Sequence, residues 1–202
     1  VTLTEPYNFE LLQKLNLKKK IHPSLNINLP QKLKINKFSS DILNQKWDLI
    51  VIAVSSIGID LIGKNLSKIK NKSPILVLTK GLKLDGRNLI SMSSLLKKYN
   101  KNLNISVLKG PCLAKELAKK VKSFTVVANK NINTAKKIGK LISTNYYQTE
   151  FSRDVNGVEF LSAIKNIYSM IIGAGQWHNT SSALFRKSID EMKYLANYFK
   201  GK

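Results

Sequence analysis

The sequence predicts an α/β protein, a doubly wound parallel sheet followed by the start of an all-helical domain. Three observations carry that reading. Two short runs, DLIVIAV at 48–54 and PILVLT at 74–79, are nearly continuous in apolar residues, as in strands buried on both faces. Strand-like and helix-like segments alternate about every 25–30 residues, the rhythm of βαβ units. Near Ser152 the alternation stops, and everything from Asp154 onward reads as helix.

Taken in order, VTLT at 1–4 reads as a strand and 9–17 as a short helix. Residues 18–40 are polar and irregular, punctuated by Pro23 and Pro30. A helical turn over 40–45 precedes Trp47. The strand at 48–54 ends at Ser55-Ser56, and 57–69 has helix-like apolar spacing. The strand at 74–79 stops at Lys80-Gly81, and a helix follows over 89–99. A third strand at 105–108 runs into Gly110-Pro111, with a helix at 114–120. SFTVVAN at 123–129 is a fourth strand, 132–143 a helix and 146–151 a fifth strand. The stretch 154–175 is a long apolar helix interrupted by Glu159 and Lys165. The domain boundary therefore falls at Ser152, giving domains over 1–152 and 153–202. No internal repeat is present.

A chain of 202 residues can bury a real core, as one domain and part of a second. It opens on Val1 inside a strand-like run and is read as a fragment. No signal stretch opens it, and no apolar run reaches ~18 residues without a charge, so no transmembrane helix is expected. A single cysteine suits a reducing cytoplasm. The net charge of +22 raises the possibility of nucleic-acid binding. Against it, the charge is almost all lysine, and arginine occurs only at Arg87, Arg153 and Arg186. Duplex readers use arginine for bidentate contacts to guanine. The lysines are dispersed, with Lys18-Lys19-Lys20 the one tight run. Such a charge would still draw in a phosphorylated substrate.

In doubly wound sheets ligands bind outside the carboxyl ends of the strands, where Ser55, Lys80 and Gly110 stand. Lys80 can be a solvated surface lysine, or an ammonium reaching a phosphate or polarised oxygen. Gly110-Pro111-Cys112 can be an ordinary turn, or a place where a ligand approaches backbone and the following helix N-terminus favours an anion. Cys112 is better read as a small buried thiol than as a nucleophile. Asn156, Glu159, Ser162, Lys165/Asn166 and Ser169 recur at steps of three and four, so they share one helical face. That face meets either solvent or a cleft against the sheet. In a cleft, a partly desolvated Lys165 beside a second positive charge such as Lys80 would have a lowered pKa and could act as a general base. His22 and His178 show no metal-ligand spacing, and no metal site is assigned.

Four segments carry a resemblance. LTKGL (78–82), GPCLAKELA (110–118), DVNGVEFLSAIKN (154–166) and NTSSALFRKSIDEM (179–192) fall in the order of motifs of NAD(P)-dependent glycerol-3-phosphate dehydrogenase. The chain resembles that family along essentially its whole length, most weakly over 10–45. The resemblance implies a Rossmann-type domain and a helical substrate domain. It implies a cytoplasmic oxidoreductase that interconverts sn-glycerol 3-phosphate and dihydroxyacetone phosphate with NAD or NADP, supplying glycerophospholipid synthesis. Lys165 would accept the C2 hydroxyl proton, and Asn166 would help hold substrate. Lys80 would contact substrate and cofactor, Gly110 and Cys112 the substrate, Ser55 and Ala114 the dinucleotide. Glu5, just past the first strand, is a candidate ribose acceptor that would favour NAD. The family's GxGxxG turn would lie before Val1, and its GLGD and RN segments beyond Lys202. Cys112 stands where the family has Ser or Thr, and 175–179 is shorter than the family's glycine-rich loop. No nucleic-acid or membrane partner is implied, and a homodimer is left open. The rival readings are another Rossmann-type hydroxy-acid dehydrogenase and, from a different class, a basic nucleic-acid-binding protein.

Overall fold

The computed structural model describes residues 2–5, 21–22, 24–69, 72–199 and 201. Strand β1 (Thr2–Glu5) is followed by a short hairpin of β2 (Ile21–His22) and β3 (Ile27–Asn28). Strand β4 (Lys34–Lys37) then pairs in parallel with β1, Leu3 opposite Ile35. The irregular stretch expected over 18–40 is therefore corrected. Its strand KINK buries only Ile35, so no apolar run announces it. The helix expected at 9–17, Lys18 to Lys20 and Pro23 lie outside the described residues.

The chain next makes a 3₁₀ turn (Ser40–Asn44), strand β5 (Ile50–Ile52), a second 3₁₀ turn (Ser56–Gly58) and helix α1 (Ile59–Leu66). After β6 (Ile75–Val77) comes a hairpin of β7 (Leu82–Asp85) and β8 (Asn88–Ser91), then helix α2 (Met92–Tyr99). The helix expected over 89–99 thus begins three residues late. Gly86-Arg87, with Gly86 at φ +61°, makes the two-residue hairpin turn, and Ser91 caps α2 by accepting from the Ser94 N–H. Strand β9 (Ile105–Lys109), helix α3 (Ala114–Ala118), strand β10 (Ser123–Ala128), helix α4 (Ile132–Ile142) and strand β11 (Tyr147–Ser152) complete the sheet region. Helix α5 (Val155–Gly173) is capped by Asp154, whose carboxylate accepts from the Gly157 N–H at 2.8 Å. Helix α6 (His178–Tyr198) folds back on α5, as shown by Phe160 stacking on Phe199 at 4.0 Å and the Ser181 hydroxyl donating to the Ile172 carbonyl.

The main sheet has the order β11-β10-β9-β6-β5. β5, β6 and β9 run parallel, with Ile50 opposite Ile75 and Ile75 opposite Ile105. β10 runs antiparallel to β9, Val126 opposite Lys109, and β11 is parallel to β10. This one antiparallel pair makes the expected doubly wound parallel sheet a mixed one. A parallel return needs a crossover that spans the sheet, whereas 110–122 holds only the one-turn helix α3. Along β6, Ile75 and Val77 face a core with Ile59, Ile62, Leu66, Met92 and Leu96. Leu76 faces the other side, with Val127, Ala135 and Ile138. Helices α1, α2 and the start of α5 therefore cover one face and α4 the other, which is the doubly wound arrangement.

Candidate active site

The carboxyl ends of β5, β6 and β9 are tied together at one edge of the sheet. The Thr79 hydroxyl donates to the Val54 carbonyl at 2.6 Å, joining the chain after β6 to the chain after β5. Gly81 sits at φ +130°, a conformation an L side chain rarely takes, and this turns the chain sharply into β7. Lys80 is left exposed at the turn. Ser55 is also exposed, at the head of the 3₁₀ turn after β5.

At the end of β9, Gly110 is required by its neighbour. A Cβ there would lie 2.9 Å from both the Phe124 carbonyl oxygen and Thr125 Cα. Of the two readings open for that glycine, an ordinary turn or ligand approach, neither required the close approach of β10 that the structure adds. Cys112 is half-buried, and burial pushes its thiol above the ordinary cysteine range, against the pull of Lys80. It is poorly suited to nucleophilic attack. Ala114 opens α3 and is exposed.

Helix α5 brings the polar stripe across the sheet edge, but the stripe is divided. Glu159 and Ser162 are buried, Lys165 is half-buried, and Asn156, Asn166 and Ser169 are exposed. Burial, and then the nearby Lys80 ammonium, lower the Lys165 pKa. Lys80 and Lys165, 85 positions apart by their numbers, are thus electrostatic neighbours. The buried Ser162 hydroxyl has no hydrogen-bond partner among the described residues, and such groups are ordinarily satisfied by a ligand or ordered water.

Two participants are not found by reading the sequence. Lys109 is only 5% exposed, and its ammonium donates to the carbonyls of Leu78, at 3.2 Å, and Thr79. Burial takes its pKa down to about 8, with Glu159 opposing that shift and Lys80 adding to it. Ser93, in the first turn of α2, gives both its backbone N–H (3.2 Å) and its hydroxyl to the Glu159 carboxylate. The available signal was a lysine ending the buried strand ISVLK, directly before Gly110-Pro111.

Three lysines at one end of a sheet form a positive site suited to a phosphorylated ligand. A lysine with a lowered pKa keeps a neutral fraction able to take a proton. Ser55, Lys80 and Ala114 lie along the strand ends where α/β sheets hold dinucleotides, and the positive charge and unpartnered Ser162 hydroxyl suit a polar, anionic occupant. The residues present therefore fit a nicotinamide dinucleotide. Among the described residues no cluster of three or more His, Cys, Asp or Glu could hold a metal. His22 Nδ1 already accepts from the N–H groups of Ser24 and Leu25. No helix among the described residues is long and apolar enough to cross a membrane.

Comparison with known proteins gives a consistent result. Residues 4–135 match the family model for the NAD-dependent glycerol-3-phosphate dehydrogenase N-terminus, and 154–202 that for its C-terminus. A glycerol-3-phosphate dehydrogenase [NAD(P)+] of Leptospira biflexa is 33% identical over 172 residues, 81% of this chain and 51% of that protein. The chain spans about half the length of the curated relatives it matches. Among solved structures, a glycerol-3-phosphate dehydrogenase from Plasmodium falciparum superposes with a TM-score of 0.88 at 20% identity, over 100% of this chain and 58% of that one. One from Coxiella burnetii gives 0.84 at 23% identity, over 100% of this chain and 62% of that one. At these identities the structural likeness shows the fold.

Proposed function

The chain belongs to the NAD-dependent glycerol-3-phosphate dehydrogenase family, and from that premise we propose that the full-length protein interconverts sn-glycerol 3-phosphate and dihydroxyacetone phosphate with NAD or NADP. We take 1–152 as its dinucleotide-binding part and 153–202 as the beginning of its substrate domain. The nicotinamide, when bound, supplies a hydride acceptor in one direction and a hydride donor in the other. The protein's own work is to hold the phosphate, orient C2 and move one proton. In oxidation the C2 hydroxyl proton passes to the neutral amine of Lys165 as the C2–H hydride leaves. In reduction the Lys165 ammonium returns that proton to the C2 oxygen. Lys80 contacts both substrate and cofactor, and Asn166, next to Lys165 on α5, helps hold substrate. Gly110 and Cys112 touch the glycerol phosphate, and Ser55 and Ala114 the dinucleotide. A cytoplasmic location and a supply role in glycerophospholipid synthesis complete the reading.

The observation that carries this reading is Lys165, half-buried beside Lys80 with its pKa lowered by burial and by that neighbour's charge. The test is Lys165→Ala in the full-length protein. Turnover should be lost while NADH binding, followed by fluorescence, is largely kept. Near-normal turnover removes Lys165 from the mechanism. Activity on 2-keto acids but not on dihydroxyacetone phosphate would move the protein to another hydroxy-acid dehydrogenase.

A further inference from the structure

We propose that Lys109 is a positioning residue, a buried strut that ties the end of β9 to the backbone immediately before Lys80 and so holds Lys80 at the anion-binding end of the sheet. The inference rests on the reading of that end as a glycerol 3-phosphate site.

The geometry is specific. The Lys109 ammonium donates to two consecutive carbonyls, Leu78 and Thr79, and the next residue is Lys80. Those carbonyls lie past the last residue of β6, where the strand pairing ends at Val77. The Thr79 side chain is already committed to the Val54 carbonyl, and Gly81 fixes the downstream side of Lys80 by its positive φ. Lys80 is thus clamped on both flanks. The upstream clamp is made by a side chain 31 positions away from Leu78.

Burying an ammonium is unfavourable unless it is hydrogen-bonded and its charge is balanced. Lys109 has two carbonyl acceptors, and the charged groups that act on it are Glu159, which favours its protonated form, and Lys80, which disfavours it. Glu159 is itself held by Ser93. Ser93 in the first turn of α2 thus fixes the α5 carboxylate whose charge favours the Lys109 ammonium, and Lys109 in turn holds the backbone before Lys80. A surface lysine would need none of these partners. The carbonyl pair gives the charge a purpose, because an unsupported turn after β6 would let Lys80 swing away from the site. The second positive charge lies beneath that turn and adds to the attraction for a phosphate dianion.

The test uses Lys109→Met and Lys109→Gln in the full-length protein, with circular dichroism checking that both fold. Gln keeps an amide donor for one carbonyl and covers the case in which Met does not fold. KM for dihydroxyacetone phosphate should rise about tenfold or more in Lys109→Met, the scale of a charge-assisted hydrogen bond, and less in Lys109→Gln. KM for NADH should move little. Amide exchange over 79–82 should quicken in both variants. In the wild type, 1/KM for dihydroxyacetone phosphate should fall as the pH rises through about 8, where Lys109 loses its proton, and that limb should flatten in Lys109→Met. Unchanged KM and unchanged exchange in folded variants overturn the proposal, as does lowered stability with wild-type kinetics and pH profile. If the wild type does not turn over dihydroxyacetone phosphate, the functional reading fails, and exchange over 79–82 alone decides whether Lys109 holds the turn.

Discussion

Truncating Glu159 to alanine tests the buried carboxylate that Ser93 holds. The carboxylate is 2% exposed and accepts two hydrogen bonds from Ser93, one from the backbone N–H at 3.2 Å and one from the hydroxyl. Bonds to a charged acceptor contribute ~1.5–3 kcal/mol each. Removing the acceptor orphans two buried donors. It also removes the negative charge that favours the buried ammonium of Lys109. The two bonds from Ser93 set the expected loss for Glu159→Ala at about 3–5 kcal/mol at pH 7. With a urea m-value of about 2 kcal/mol/M, the midpoint should fall by roughly 2 M with the slope unchanged. Glu159→Gln keeps the shape and one acceptor and should lose less. The assay is urea unfolding of the full-length protein, followed by tryptophan fluorescence and near-ultraviolet circular dichroism, whose coincidence licenses a two-state treatment. The loss should shrink at pH 9, because Lys109 is then largely neutral in the folded protein and needs no counter-charge. A Glu159→Ala protein within about 0.5 kcal/mol of wild type, no more than an ordinary surface substitution, would refute the reasoning. It would mean that the carboxylate is solvated and that α2 and α5 are not clasped through it.

Two further outcomes follow from the same geometry. Lys109 has its folded pKa lowered from 10.5 to about 8, so between those values the unfolded chain binds the additional proton and stability rises with pH. The penalty is fully present below pH 8 and gone above 10.5. At 1.36 kcal/mol per pH unit it amounts to about 3 kcal/mol, readable as a pH-dependent difference in unfolding free energy between wild type and Lys109→Met. A pH-independent difference would show that Lys109 is not a buried cation. Gly110→Ala places a Cβ against backbone atoms of β10 at 2.9 Å and should cost about 1–3 kcal/mol by overpacking. Thermal unfolding of that variant checks the prediction, and an unchanged midpoint would remove the β10 contact as the reason for glycine there.

Much of this protein was legible in its sequence because the governing forces are local or periodic. The runs DLIVIAV and PILVLT became β5 and β6, and Ile75, Leu76 and Val77 are all buried because the sheet is covered on both faces. Helices α4, α5 and α6 were legible as helical segments, and the structure adds the Asn131 and Asp154 caps that open the first two. The four motifs named the family, which the family models match over 4–135 and 154–202. Lys80 and Lys165 could be singled out by position, at a strand end and within an apolar helix. The hairpin of β7 and β8 was also within reach, through the glycine of its Gly86-Arg87 turn, but the helical pattern that follows masked it.

Other features required tertiary structure. The polar strand β4 has no apolar run and exists because β1 offers it a parallel edge. The direction of β10 was settled by the short connection 110–122, which carries only the one-turn helix α3. Lys109 looks like any strand-end lysine until its acceptors arrive from 30 and 31 residues away, and Glu159 until Ser93 arrives from 66. Residue type and spacing determine which segments become strands and helices, because side-chain burial repeats at two or 3.6 residues along the chain. They do not determine which charge is buried. That depends on whether distant segments bring enough acceptors and counter-charge to replace water, and only the folded chain brings them together.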